Sequence, residues 1–149
     1  MQMVLTLNLS RAANNMTADL ALYNKFVAGV TSEVSTNLDL FVKRLHELEN
    51  TGINPALLLT GSTGLAGESG EFAEIVKKLN WHGKELTPEL RTHMQKELGD
   101  IIFYWMMCCQ AMKLDPNTVI KENVAKLEAR YPEGSFSVER AENRAEGDV

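Results

Sequence analysis

In TPELRTHMQKELGDIIFYWMMCCQAMK, residues 87–113, a Thr-Pro start is followed by no further proline and by a single glycine, Gly99. Ile101-Ile102-Phe103-Tyr104-Trp105 suits a strand by side-chain preference alone. The uninterrupted chain on both sides is longer than a strand, however, and the segment is read as a helix. Its second half is apolar almost all round, so one neighbouring face cannot cover it. A central helix enclosed by several others, in part by a second subunit, is the expectation.

The same punctuation recurs on either side. Asn54-Pro55 places a capping side chain before a proline at the first helical position and opens a helix running to about residue 80. Asp115-Pro116 opens another, carrying Val119, Ile120, Val124 and Leu127, which stops before Tyr131-Pro132-Glu133-Gly134. Upstream, Thr17 to Phe26 reads as a short helical stretch. Thr31 or Ser32 then caps a longer helix in which Val34, Leu38, Phe41, Leu45 and Leu48 recur at spacings of three and four, ending at Asn50-Thr51-Gly52. The fold class is therefore all-α, a four-helix bundle. Residues 1–18 read as an N-terminal arm, 19–136 as the helical domain and 137–149 as a polar tail.

Composition narrows the function. The 149 residues are 44% hydrophobic and 23% charged, a soluble globular balance with enough chain for a core without disulfide staples. A net charge of -5 lacks the electrostatic attraction that nucleic-acid binding needs, so no nucleic-acid partner is expected. The two cysteines, Cys108 and Cys109, are adjacent and offer neither a disulfide framework nor a C-x-x-C motif, which fits a cytoplasmic protein. The longest apolar run, Ile101 to Cys109, is far short of the roughly 20 residues of a membrane span, and no membrane partner is expected.

Chemistry concentrates in two short segments. Glu68, Glu71 and Glu74 fall at intervals of three, as do Glu97 and Asp100. On helices such residues share a face. Were the two helices antiparallel, Glu68 and Glu71 would meet Glu97 and Asp100 across one seam. Like charges gathered there raise one another's pKa, and a divalent cation is the usual compensation. Ligation by oxygen alone selects Mg2+ first and Mn2+ second. A solvated helix edge is the competing reading of the same glutamates. Gly61, Gly64, Gly67 and Gly70 also recur every third residue, at a cost of about 1 kcal/mol each relative to alanine in a helix. Either a neighbour approaches the backbone closely there, or the helix is broken around Gly61 to Gly64. A ferritin-like iron bundle would need Glu-x-x-His pairs. Lys43, Leu79 and Leu90 stand three before His46, His82 and His93, which argues strongly against it.

These residues resemble the MazG-type all-α nucleoside triphosphate pyrophosphohydrolases, a group that includes dCTP pyrophosphatase-like enzymes. The resemblance covers roughly residues 20–140 and rests on GLAGESGEFAE (64–74), KELGD (96–100) and NVAKLEARYP (123–132) in that order. Glu68 and Glu71 match the second and third Glu of the family's E-E-x-x-E motif, and Glu97 and Asp100 match its E-x-x-D. Gly67 stands where the first Glu is expected, as in the dCTP pyrophosphatase-like members. The resemblance implies Mg2+-dependent cleavage of a nucleoside triphosphate, a deoxynucleotide by preference, between the α and β phosphates. Glu68, Glu71, Glu97 and Asp100 would be metal-binding and catalytic, in a homodimer or homotetramer. Lys126 and Arg130, with Asn123 one turn before, would meet phosphate oxygens, with Lys78 a further candidate, and Tyr104 would border a base or sugar. Ordinary helix polarity and core packing account for the same five residues. A non-enzymatic helical interaction module with an acidic edge is the alternative to an enzyme.

Overall fold

The computed structural model describes residues 19–143, which contain helices and no strand. The arm at residues 1–18 and the end of the tail at residues 144–149 lie outside the described residues. Seven helices follow one another among those described: α1 (Leu20–Val30), α2 (Glu33–Thr36), α3 (Leu38–Glu49), α4 (Pro55–Trp81), α5 (Pro88–Ala111), α6 (Pro116–Arg130) and α7 (Val138–Glu142). The chain divides into two compact units, one ending at Arg44 and one beginning at Leu45.

In the first unit, Asp19 caps α1 by accepting from the Ala21 and Leu22 amides at 3.0 Å. The single helix expected from residue 31 to residue 50 is two helices. Ser32 caps α2, whereas Asn37, extended at φ -123°, ends it and accepts from the Leu40 amide at 3.1 Å. Asparagine offers the backbone a local alternative to the helical ladder, and here that alternative opens a second helix.

The second unit is built on α4 and α5. The Asn54 side chain accepts from the Leu57 amide at 2.9 Å, and Thr87 accepts from Leu90 at 3.2 Å, so both cap-and-proline starts form. α4 runs without a break through Gly61 to Gly64. It ends where Gly83, at φ +65°, turns left-handed and lets the Lys84 amide reach the Lys78 carbonyl at 3.2 Å. Asp115 caps α6 through the Asn117 and Thr118 amides. The segment read as a polar tail holds α7, begun by the Ser137 hydroxyl accepting from the Arg140 amide.

The extensive helix contact among the described residues is that of α4 with α5. Gly61 lies opposite Cys108, Gly64 opposite Tyr104, and Glu68 and Glu71 opposite Glu97, so the two helices are antiparallel. Small residues at Gly61 and Gly64 allow this approach. A Cβ on Gly61 would sit 2.9 Å from Cys108 Sγ and 3.2 Å from its backbone nitrogen. Ile75, Leu90, Cys109 and Ala111 are buried. Among the described residues Leu98, Ile102 and Phe103 of α5 remain 49%, 59% and 57% exposed. The described residues are all-α as expected, with α4 against α5 as their extensive helix pair.

Candidate metal centre

Helical spacing brings Glu68 and Glu71 to one face of α4, and the antiparallel register sets them against Glu97 of α5. One carboxylate oxygen from each of Glu68, Glu71 and Glu97 lies within 4.8 Å of the others. The three differ in surroundings: Glu71 is exposed, Glu68 half-buried and Glu97 buried. Glu97 Oε2 is buried without a hydrogen-bond partner, which is costly for a carboxylate. The other oxygen, Oε1, is 2.8 Å from His93 Nε2, one turn earlier on α5.

Electrostatics mark the same place. Loss of solvent pushes the Glu68 carboxyl above its ordinary value. The negative charges of Glu71, Asp100 and Glu97 push it in the same direction. Asp100 is exposed, one turn beyond Glu97, and enters through its charge on Glu68 without joining the tight group of three. Glu74, the last of the i+3 series, is turned to other partners. It pairs with Lys77 and, at 3.4 Å, with Lys78, and the Lys77 hydrogen bond leads in holding its pKa low.

Such a donor set fits a hard divalent cation: three carboxylates converge, one has a buried oxygen lacking any other partner, and no thiol belongs to the group. An open groove of about 330 Å³ adjoins it, lined by Gly67, Gly70, Glu71, Glu74, Ile75, Lys78 and His93. Gly67 and Gly70 face open space, so the glycine pattern has two halves: Gly61 and Gly64 admit α5, whereas Gly67 and Gly70 leave the groove wide.

The remaining candidates are distributed differently. Tyr104 lies with its ring against Gly64 and edge-on to Phe103 at 5.1 Å, within the helix seam. Lys78 borders the groove while paired with Glu74. Asn123, Lys126 and Arg130 are on α6, outside the α4–α5 seam that assembles the carboxylates. His93 was not singled out by any motif, and its signal in the sequence is only its place four residues before Glu97.

Antiparallel helices that present carboxylates to one another define an all-α protein with an acidic centre. The chain belongs to the MazG nucleotide pyrophosphohydrolase domain family, whose model matches residues 59–135, just over half of the chain and all of α5 and α6. Among curated proteins it is similar to the "Gene 37 protein" of Mycobacterium phage L5, 38% identical over 72 residues. That match takes in 48% of this chain, and the chain spans 63% of that relative's length. No solved structure matches the chain. No helix among the described residues is long and apolar enough to cross a membrane.

Proposed function

We propose that the protein is a Mg2+-dependent nucleoside triphosphate pyrophosphohydrolase that releases the monophosphate and pyrophosphate, with deoxynucleotides preferred. The observation that carries this reading is the convergence of Glu68, Glu71 and buried Glu97 across the α4–α5 seam, with Glu97 Oε2 otherwise unpartnered. Membership of a pyrophosphohydrolase family supports it.

Glu68, Glu71, Glu97 and Asp100 would hold the cation. Bound Mg2+, or Mn2+ in its place, supplies neutralisation of the triphosphate charge and a water of lowered pKa. The chain's own residues then position and accept. Glu71 or Glu68 takes the proton of the attacking water on a carboxylate oxygen, the exposed Glu71 being the more accessible. Lys78 at the groove, and Asn123, Lys126 and Arg130 on α6, would meet phosphate oxygens, and Tyr104 would border the nucleoside. Phosphoryl transfer asks chiefly for positioning and charge stabilisation, so no protein nucleophile is required. Control of the cytoplasmic nucleotide pool is the corresponding biological purpose.

The exposed Leu98, Ile102 and Phe103 support a homodimer or homotetramer, in which a second copy covers α5. They equally favour a second reading, a non-enzymatic oligomerisation module. Incubating the chain with each of the common NTPs and dNTPs, in Mg2+ or in EDTA, separates the two. Turnover abolished by EDTA is expected, with the order of rates giving the base and sugar preference. Association unaffected by EDTA and no turnover of any nucleotide would favour the module.

A further inference from the structure

Glu97 is the one buried member of the acidic group, and its two oxygens are unlike: Oε2 is buried and unpartnered, whereas Oε1 is 2.8 Å from His93 Nε2. We propose that His93 is a positioning residue, which anchors Glu97 by Oε1 and thereby presents Oε2 to the cation held with Glu68 and Glu71. The inference rests on the metal-binding reading of that group.

The helix supplies the geometry. Side chains on an α-helix lean toward its N-terminus, so the Glu97 carboxylate is carried back over the turn that holds His93. The two atoms stand 2.8 Å apart, well within ion-pair distance. A proton on Nε2, carried by one neutral tautomer and by the imidazolium, is what His93 would offer Oε1. His93 also lines the groove beside Glu71, with its side chain 55% exposed, so it stands at the junction of groove and acidic group. A carboxylate tied at one oxygen loses rotational freedom before the ion arrives, the usual contribution of an outer partner to a metal site.

Mn2+ titration followed by the electron paramagnetic resonance of the free ion tests this without turnover. The variants are His93→Gln, which keeps an amide N–H donor, and His93→Leu and His93→Ala, which have none; far-UV circular dichroism reports their folding. The donorless variants are expected to bind Mn2+ at least about tenfold more weakly, and His93→Gln to stay close to the parent. Parent-like affinity in a folded donorless variant, or equal weakening in His93→Gln, would overturn the positioning role alone. Nitrogen modulation in the spin echo of bound Mn2+ that disappears on replacing His93 would also overturn it, by making His93 a ligand. Absence of saturable Mn2+ binding by the parent chain would overturn the metal reading and the role of His93 with it.

Discussion

Tyr104 fills the space that a side chain on Gly64 would need: a Cβ there would lie 2.3 Å from Tyr104 Cε1 and 2.4 Å from Cδ1. The register that brings Glu68 and Glu71 opposite Glu97 depends on this approach, one turn away along α4. Gly64→Ala is expected to lower stability by about 1–3 kcal/mol, as overpacking does, and to weaken divalent-cation binding through the displaced seam. Gly67→Ala, with nothing within 4 Å, is expected to leave stability unchanged or raise it by up to about 1 kcal/mol. Thermal unfolding of the two variants beside the parent checks the contrast.

Removing one charge at a time from α5, the buried Glu97 or the exposed Asp100, should separate chemistry from folding. Glu97→Gln and Asp100→Asn are expected to lower turnover by more than the roughly 10–100-fold typical of outer partners of a metal site, with helical content intact. Full activity in either variant, measured beside its circular dichroism spectrum, would remove that residue from the proposed site.

The elements announced by their own chain are the ones the sequence makes legible. Asn54-Pro55, Thr87-Pro88 and Asp115-Pro116 each carry a capping side chain and a fixed φ, and α4, α5 and α6 begin there. The spacing of Glu68, Glu71 and Glu97 likewise marks the three carboxylates that converge, once α4 and α5 are taken as antiparallel, whereas Asp100, spaced in the same way, stays outside the tight group. Asn37 is less legible, since its side chain competes with the ladder inside a stretch whose apolar period continues. Burial is not legible either. Glu97 and Glu71 read alike in the sequence, and only the packing of α4 on α5 buries the first and exposes the second. By periodicity Gly61 and Gly67 are equivalent, yet one meets Cys108 and the other meets nothing. The apolar surplus on α5 is plain in the sequence, but which of its side chains stay exposed, Leu98, Ile102 and Phe103 among them, is not.

Acidity should favour the metal-free protein at Glu68. Its folded pKa is raised above the ordinary 4.5, first by desolvation and then by Glu71, Asp100 and Glu97. The folded state therefore holds more protons than the unfolded chain between those values. Stability from this group is fully present below about 4.5 and is lost as pH rises through the raised folded pKa. In EDTA, the melting temperature of the parent is expected to fall more steeply than that of Glu68→Gln as pH rises from 4.5 toward neutrality. Parallel curves would contradict this, and Mg2+ at pH 7 is expected to restore stability to the parent preferentially.

The uncovered face of α5 makes a prediction about assembly. Phe103→Asp and Ile102→Asp place charge on side chains 57% and 59% exposed in the single chain, where a monomer would tolerate them. Sedimentation equilibrium is expected to show a dimer or tetramer for the parent and smaller species for both variants. A monomeric parent at micromolar concentration would contradict the covered face.

The central claim, attack at the α phosphorus by water activated within the carboxylate group, is tested most directly by phosphorus NMR of the products formed from a dNTP and Mg2+ in H2(18)O. The account predicts monophosphate and pyrophosphate in equal amounts, with the heavy oxygen on the monophosphate and no reaction in EDTA. Heavy oxygen in the pyrophosphate, or diphosphate with orthophosphate, would contradict it.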